Sequence, residues 1–255
     1  MKKCLLIIMC ACLLILANKA YADDKDSLRE LFYQGNIYYG ENDLQEAIDS
    51  YNKALNCGYE SSPLYYNLGN AYFKNGNLGK AIICYLRASR INPGDPDIKS
   101  NLAYARSLIQ GGLISLKKPW FIRGFLRLTG MFSLNKITSI SIFLYVLLCI
   151  VIIAGVYIKL CKKTFILLYV LISIMLATSL TIFAVKFKAQ VTQKNAIVTK
   201  QETDAKFEPL DNATTFFTLY EGEKVQLVAT NGEYLKIKRS DGKQGWVKKT
   251  DIELI

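Results

Sequence analysis

Apolar positions follow three different rules along this chain. Up to about residue 110 they recur at helical spacing; from residue 137 to 185 they form two nearly unbroken runs; beyond 191 they alternate with polar ones. The first pattern predicts helices near 26–40, 43–56, 62–75 and 78–91, with turns at Gly40-Glu41-Asn42 and Asn75-Gly76-Asn77. Asp95-Pro96-Asp97 caps and starts a fifth helix, expected to reach about Gln110 before Gly111-Gly112 stops it. The runs Ile137–Ile158 and Phe165–Val185 carry no charge, and at 1.5 Å per residue each is as long as a bilayer's hydrocarbon is thick. In the last part, Ala196–Val198, Lys224–Val228, Tyr234–Lys238 and Gln244–Val247 read as strands, with Asn231-Gly232 and Asp241-Gly242 as hairpin turns.

The helical part repeats itself. At an offset of 34 residues, Gly35 meets Gly69, Asn36 meets Asn70, Tyr38 meets Tyr72, Ala47 meets Ala81, Tyr51 meets Tyr85 and Ala54 meets Ala88. That period and those positions resemble tetratricopeptide repeats. Glycine and alanine let the two helices of a unit approach, tyrosines fill the space between, and Pro93 closes the second unit. The fifth helix begins like a third repeat, since Asn101-Leu102 lies 34 after Asn67-Leu68, but no second helix follows. It reads as the cap that a short repeat stack requires.

Net charge changes the picture only when divided. The total of +11 would suggest nucleic acid if it covered a folded domain. Residues 23–110 carry −2 and residues 191–255 carry 0, whereas residues 111–163 carry +8 with no acid at all. Cations therefore flank the apolar runs, where phosphate headgroups lie, and a nucleic-acid partner is not expected. Residues 1–22 have a basic start, an apolar core and Ala20-Tyr21-Ala22, the layout of a secretory signal cleaved after Ala22. Between signal and spans, Phe121, Phe125, Leu128 and Phe132 share one face of a helix with Arg123 and Arg127 opposite, and Trp120 precedes them; residues 111–136 thus read as an interfacial segment anchored by Trp120, Arg123 and Arg127.

The expected division is a signal over 1–22, a repeat domain over 23–110, the interfacial segment over 111–136, spans over 137–158 and 165–185 around a cytoplasmic loop at 159–164, and a β domain over 191–255. So short a loop makes a hairpin, which puts both domains on one side. Lys and Arg counts around the spans favour the inverted topology; the export signal favours the extracytoplasmic side, and long domains translocate largely regardless of charge.

The strings Leu219-Tyr220-Glu221-Gly222-Glu223-Lys224-Val225, Gly232 to Ile237 and Asp241 to Val247 resemble the bacterial SH3-like barrel. Where the SH3 domains that bind Pro-rich peptides have an apolar wall and a Tyr, Lys248 and Asp251 stand here; Tyr234 alone matches a groove aromatic. Trp246 is expected in the core, because one Trp supplies much of the buried area of so small a barrel.

No catalytic set accompanies these parts. His is absent, which removes His triads and His metal sites, and the cysteines lack metal-ligand spacing, so neither enzyme activity nor a cofactor is expected. Cys57 and Cys84 read as lone cysteines with no bridge between them. Likeness to tetratricopeptide domains that grip extended peptides implies that Asn36 and Asn67 hydrogen-bond a ligand's main chain, with Asn101 extending the row and Phe32 adding an apolar contact. Phe32, Asp97 and Asn101 stand where such domains keep the cations that clamp a terminal carboxylate, so an internal segment is expected as ligand; the alternative is that these are solvated helix residues. Taken whole, the chain is a multidomain membrane protein: an all-α solenoid of two repeats and a cap, a two-helix hairpin and an all-β SH3-like barrel. That order resembles the BatE-type proteins of the Bacteroides aerotolerance operon. The resemblance implies an inner-membrane adaptor in envelope stress or oxygen tolerance, with von Willebrand factor A domain membrane proteins and a MoxR-type AAA+ ATPase as partners. A barrel that binds peptidoglycan is the other reading.

Overall fold

The computed structural model describes residues 29–110, 132–157, 162–192 and 194–255, with Pro119, Gly124 and Gly130 between them. The signal, the loop residues 158–161 and the interfacial residues Trp120, Phe121, Arg123, Phe125, Arg127 and Leu128 lie outside the described residues.

Five helices form the first part: α1 (described over 29–40), α2 (Leu44–Asn56), α3 (Ser62–Lys74), α4 (Leu78–Ile91) and α5 (Pro96–Ser107). Side chains cap three of them at the start: Asp43 on α2, Ser61 on α3 and Asp95 on α5 accept from backbone N–H groups two or three residues on. The first turn uses Asn42, at φ 66°, for its left-handed residue and not Gly40. α5 ends three residues before the expected Gln110, because Leu108 and Ile109 close it with tighter bonds to Ala105 and Arg106.

Why glycine recurs at 35 and 69 is visible in the packing. A Cβ on Gly35 would stand 2.4 Å from the Tyr51 ring, and one on Gly69 would stand 2.7 Å from that of Tyr85. Each tyrosine lies flat against bare backbone of the preceding helix, and both are essentially inaccessible. Ala47, Ala54, Ala71, Ala81 and Ala88 are wholly buried around them, which keeps the helix pairs thin. Cys84 belongs to this core, whereas Cys57 is exposed at the end of α2.

α6 (Leu134–Tyr157) and α7 (Lys162–Thr192) pair as an antiparallel hairpin. Both contain stretches long and apolar enough to cross a membrane, Leu134–Gly155 and Thr164–Lys188. Two polar contacts tie them: the Ser141 and Ser179 hydroxyls lie 2.8 Å apart in the seam, and the Lys186 ammonium donates to the Phe132 carbonyl, just before α6, at the open end. Outward, Phe143, Ile153, Ile166 and Leu167 are more than half exposed. α7 runs on past Val185, carrying Lys186 and Lys188 within the helix.

The last part is one antiparallel sheet of seven strands: β1 (Asn195–Val198), β2 (Glu202–Lys206), β3 (Thr215–Tyr220), β4 (Lys224–Asn231), β5 (Tyr234–Lys238), β6 (Gln244–Lys248) and β7 (Ile252–Leu254), in the order β3-β2-β6-β5-β4-β1-β7. The four expected strands and both hairpins are present; β2, β3 and β7 were not anticipated. All seven strands send side chains into one core, among them Val198, Ala205, Leu219, Val225, Ile237, Val247 and Ile252. Trp246 is not in it. Its neighbours Gly245 and Val247 both take inward positions on β6, so the alternation turns the indole outward, half-buried in a cleft.

Sheet and repeats are docked on one another. Ala196 and Val198 of β1 face the sheet core, while Ile197 between them points the other way, into a cluster with Ala81, Ile82, Ile83, Leu102 and Ile109. A Cβ on Gly79 would strike the Val198 carbonyl oxygen at 2.5 Å. Asn77 makes no side-chain cap on α4; Glu221, from the turn after β3, accepts from the Gly79 N–H at 2.8 Å and supplies a carboxylate to that helix end. Arg87 adds an ion pair to Glu253 at 2.9 Å.

Candidate functional site

The repeat helices carry a row of amides. Asn36 on α1 and Asn67 on α3 meet: Asn67 Nδ2 donates to Asn36 Oδ1 at 2.8 Å, and the Tyr51 hydroxyl donates to the same oxygen at 2.8 Å. One repeat later the arrangement recurs. Asn70 Oδ1 accepts from Asn101 Nδ2 at 3.0 Å and from the Tyr85 hydroxyl at 2.7 Å. Asn101 also donates to the Tyr66 hydroxyl at 3.1 Å. Burial pushes the Tyr51 and Tyr85 phenols well above the ordinary tyrosine range, so both hold their proton and act as donors.

This bonding decides what the row offers. A carboxamide oxygen accepts twice and its nitrogen donates twice. With both acceptor positions of Asn36 and of Asn70 filled, each has its NH₂ left without a partner among the described residues, and Asn67 and Asn101 each have a carbonyl oxygen in the same condition. A donor and an acceptor side by side match the C=O and N–H of one extended peptide residue, and the pair is presented twice, one repeat apart.

The residues expected to bind are thus brought together in part. Asn36 and Asn67 touch. Asn101 belongs to the second copy of the pair, with Asn70, and does not prolong the first directly. Phe32 packs 6.1 Å from the Tyr51 ring and 6.4 Å from that of Tyr59, so most of it serves the core of the first repeat. Trp120, Arg123 and Arg127 lie outside the described residues. Asn70 and the orienting tyrosines were missed as site residues, although the offset of 34 already pairs Asn36 with Asn70, Tyr51 with Tyr85 and Asn67 with Asn101. Apolar surface surrounds the row: Tyr33, Ile37, Tyr104 and Leu108 are exposed, and Tyr104 lies 5.7 Å from the Phe73 ring. Lys74 stands over Tyr39 at 5.3 Å.

The sheet has a cleft of its own, of about 400 Å³, between Trp246, Tyr234 and charges of both signs. Asp211 crosses it, accepting from the Tyr234 hydroxyl at 2.6 Å and pairing with Lys248 at 2.7 Å. The bond from Lys248, helped by that from Tyr234, holds the Asp211 carboxyl below its usual range. Asp251, placed by the 3₁₀ turn Lys249–Asp251, accepts from the Thr203 hydroxyl at 2.6 Å and is nearly buried. Lys248 and Asp251 therefore give this cleft polar bonds in place of apolar walls.

Comparison with known proteins finds the repeats. A tetratricopeptide repeat model matches residues 62–95, and a second TPR repeat model matches 35–76. No curated protein matches. Among solved structures, the crystal structure of yeast Tom70 is 18% identical over 67% of this chain and 27% of that one, with a TM-score of 0.31. The structure of NlpC1 from Trichomonas vaginalis is 16% identical over 25% of this chain and 24% of that one, with a TM-score of 0.23. The chain spans about a quarter of the length of either. Tetratricopeptide repeats are protein-interaction scaffolds, and that class of function is what the helical part carries.

Proposed function

We propose that this protein is a noncatalytic adaptor, anchored in a bacterial inner membrane by α6 and α7, that holds an extended internal segment of an envelope protein along its amide row. The observation that carries the reading is the twofold presentation of a donor beside an acceptor, Asn36 with Asn67 and Asn70 with Asn101, flanked by exposed aromatic and aliphatic side chains. No cation stands at Phe32, Asp97 or Asn101 to clamp a terminal carboxylate, which favours an internal segment over a free C-terminus.

The exposed apolar faces of α6 and α7 support the membrane anchor, since a hairpin so bare would have no hydrophobic reason to stay folded in water. Docking of β1 on α4 and α5 supports a common side for the two domains, because the hairpin separates them in sequence. The export signal favours the extracytoplasmic side. One core shared by seven strands and the 3₁₀ turn before β7 favour an SH3-like barrel. On the resemblance to BatE-type proteins, the segment held belongs to a von Willebrand factor A domain protein working with a MoxR-type ATPase in aerotolerance. A single Cys at the exposed Ser240, with native cysteines replaced, will react with an impermeant thiol reagent on spheroplasts; protection until lysis would establish the inverted topology.

A second reading has its own observation. Trp246 turned outward beside Tyr234, in a cleft with both charge signs, suits a sugar-peptide polymer such as peptidoglycan. Binding of the full chain to purified sacculi, lost in Trp246→Ala, would favour it; equal binding by that variant would set it aside.

A further inference from the structure

Where the repeats, the hairpin and the sheet meet, a cavity of about 390 Å³ opens. Three cations from three different parts of the chain line it: Arg90 near the end of α4, Lys186 on α7 and Lys224 at the start of β4. Among the described lining residues there is neither Asp nor Glu. Its apolar wall includes Phe132 and Leu134, at the start of the candidate span Leu134–Gly155, and Lys186 stands near the end of Thr164–Lys188. The cavity therefore sits at the level of the polar ends of both helices.

Cations gathered in a concave site focus a positive potential that an anion relieves, and Arg and Lys both suit phosphate. Lys186 spends one of its three hydrogens on the Phe132 carbonyl, which fixes the ammonium on the cavity wall. We propose that this cavity binds a phosphate-ester anion, supplied by the headgroup of an acidic phospholipid. The phosphate lies among Arg90, Lys186 and Lys224, and the glycerol end lies against Phe132 and Leu134. Occupied, it ties repeats, hairpin and sheet to the membrane surface through one ligand. The inference rests on the membrane reading of α6 and α7.

The test uses the full chain in mild detergent and native mass spectrometry, with phosphatidylglycerol, phosphatidylcholine and glycerol phosphate as separate probes. Wild type is expected to retain one phosphatidylglycerol in preference to phosphatidylcholine. The variant R90Q/K186Q/K224Q should bind it about tenfold more weakly or worse, as loss of charge-assisted contacts requires. A control with as many charges removed elsewhere, K53Q/K99Q/K238Q, should bind as wild type does. Should the triple variant misfold, R90Q alone, at an exposed side chain, must already show a partial loss. Equal retention of phosphatidylglycerol by wild type and by R90Q, or no preference over phosphatidylcholine, overturns the proposal. Glycerol phosphate displacing the lipid supports the anion site; glycerol phosphate bound where the lipid is not would overturn the lipid source. Alkaline extraction of membranes tests the anchor separately, since release of the protein there defeats the membrane reading whatever the lipid result.

Discussion

Tyr51 shows how one residue serves fold and site together. Its ring fills the space above Gly35, and its hydroxyl fixes the orientation of Asn36. Tyr51→Phe keeps the ring and removes the bond; a loss of about 1 kcal/mol is expected in thermal unfolding of the detergent-solubilised chain. Gly35→Ala attacks the other half. A methyl 2.4 Å from the ring must displace it, at about 1–3 kcal/mol. Cysteine chemistry separates along the same core: burial pushes the Cys84 thiol up to about 12 from 9.0. A raised pKa means the folded state holds the proton, so at pH 8 Cys84 has almost no thiolate and should resist alkylation until the chain unfolds. Exposed Cys57 should react at once; equal rates for the two would show that the α3 and α4 core is open.

At the scale of elements, β1 joins the two domains. Its three consecutive buried residues serve two cores, which is why so short a strand has no exposed face. Ile197→Asp would bury a carboxylate between sheet and repeats and should cost about 3 kcal/mol or more, releasing one domain from the other. Arg87→Gln removes only a half-exposed ion pair and should cost under about 1 kcal/mol. Comparable shifts in the two melting curves would argue against a hydrophobic interface. The sequence could be read as far as each element's own pattern reaches. The repeat helices announce themselves by a period that matches their packing, and the apolar runs by length. β2 does not, because Glu202, Asp204 and Lys206 occupy its outer positions and leave only Thr203 and Ala205 inside, too small a signal for a strand. Trp246 was misplaced because size suggests burial, whereas the phase of β6 is set by Gly245 and Val247.

For the whole molecule, the docking of sheet on repeats was beyond the reach of local patterns, since Glu221 meets Gly79 across 142 residues. The amide row was legible in its members and not in its bonding. Asn36 and Asn67 could be named from the repeat, but only the geometry shows that they grip each other and present one donor and one acceptor between them. That geometry also selects the sharpest variant. Asn36→Asp with Asn70→Asp keeps the oxygens that Tyr51, Asn67, Tyr85 and Asn101 bond, and turns both outward NH₂ donors into acceptors. The measurement is the amount of envelope partner co-purifying with the full chain in mild detergent, wild type against this double variant, with unchanged helical circular dichroism as the control. If the row holds an extended segment, two lost hydrogen bonds should weaken capture by about 1–3 kcal/mol, roughly 5- to 150-fold. Undiminished capture by a folded double variant would contradict the account.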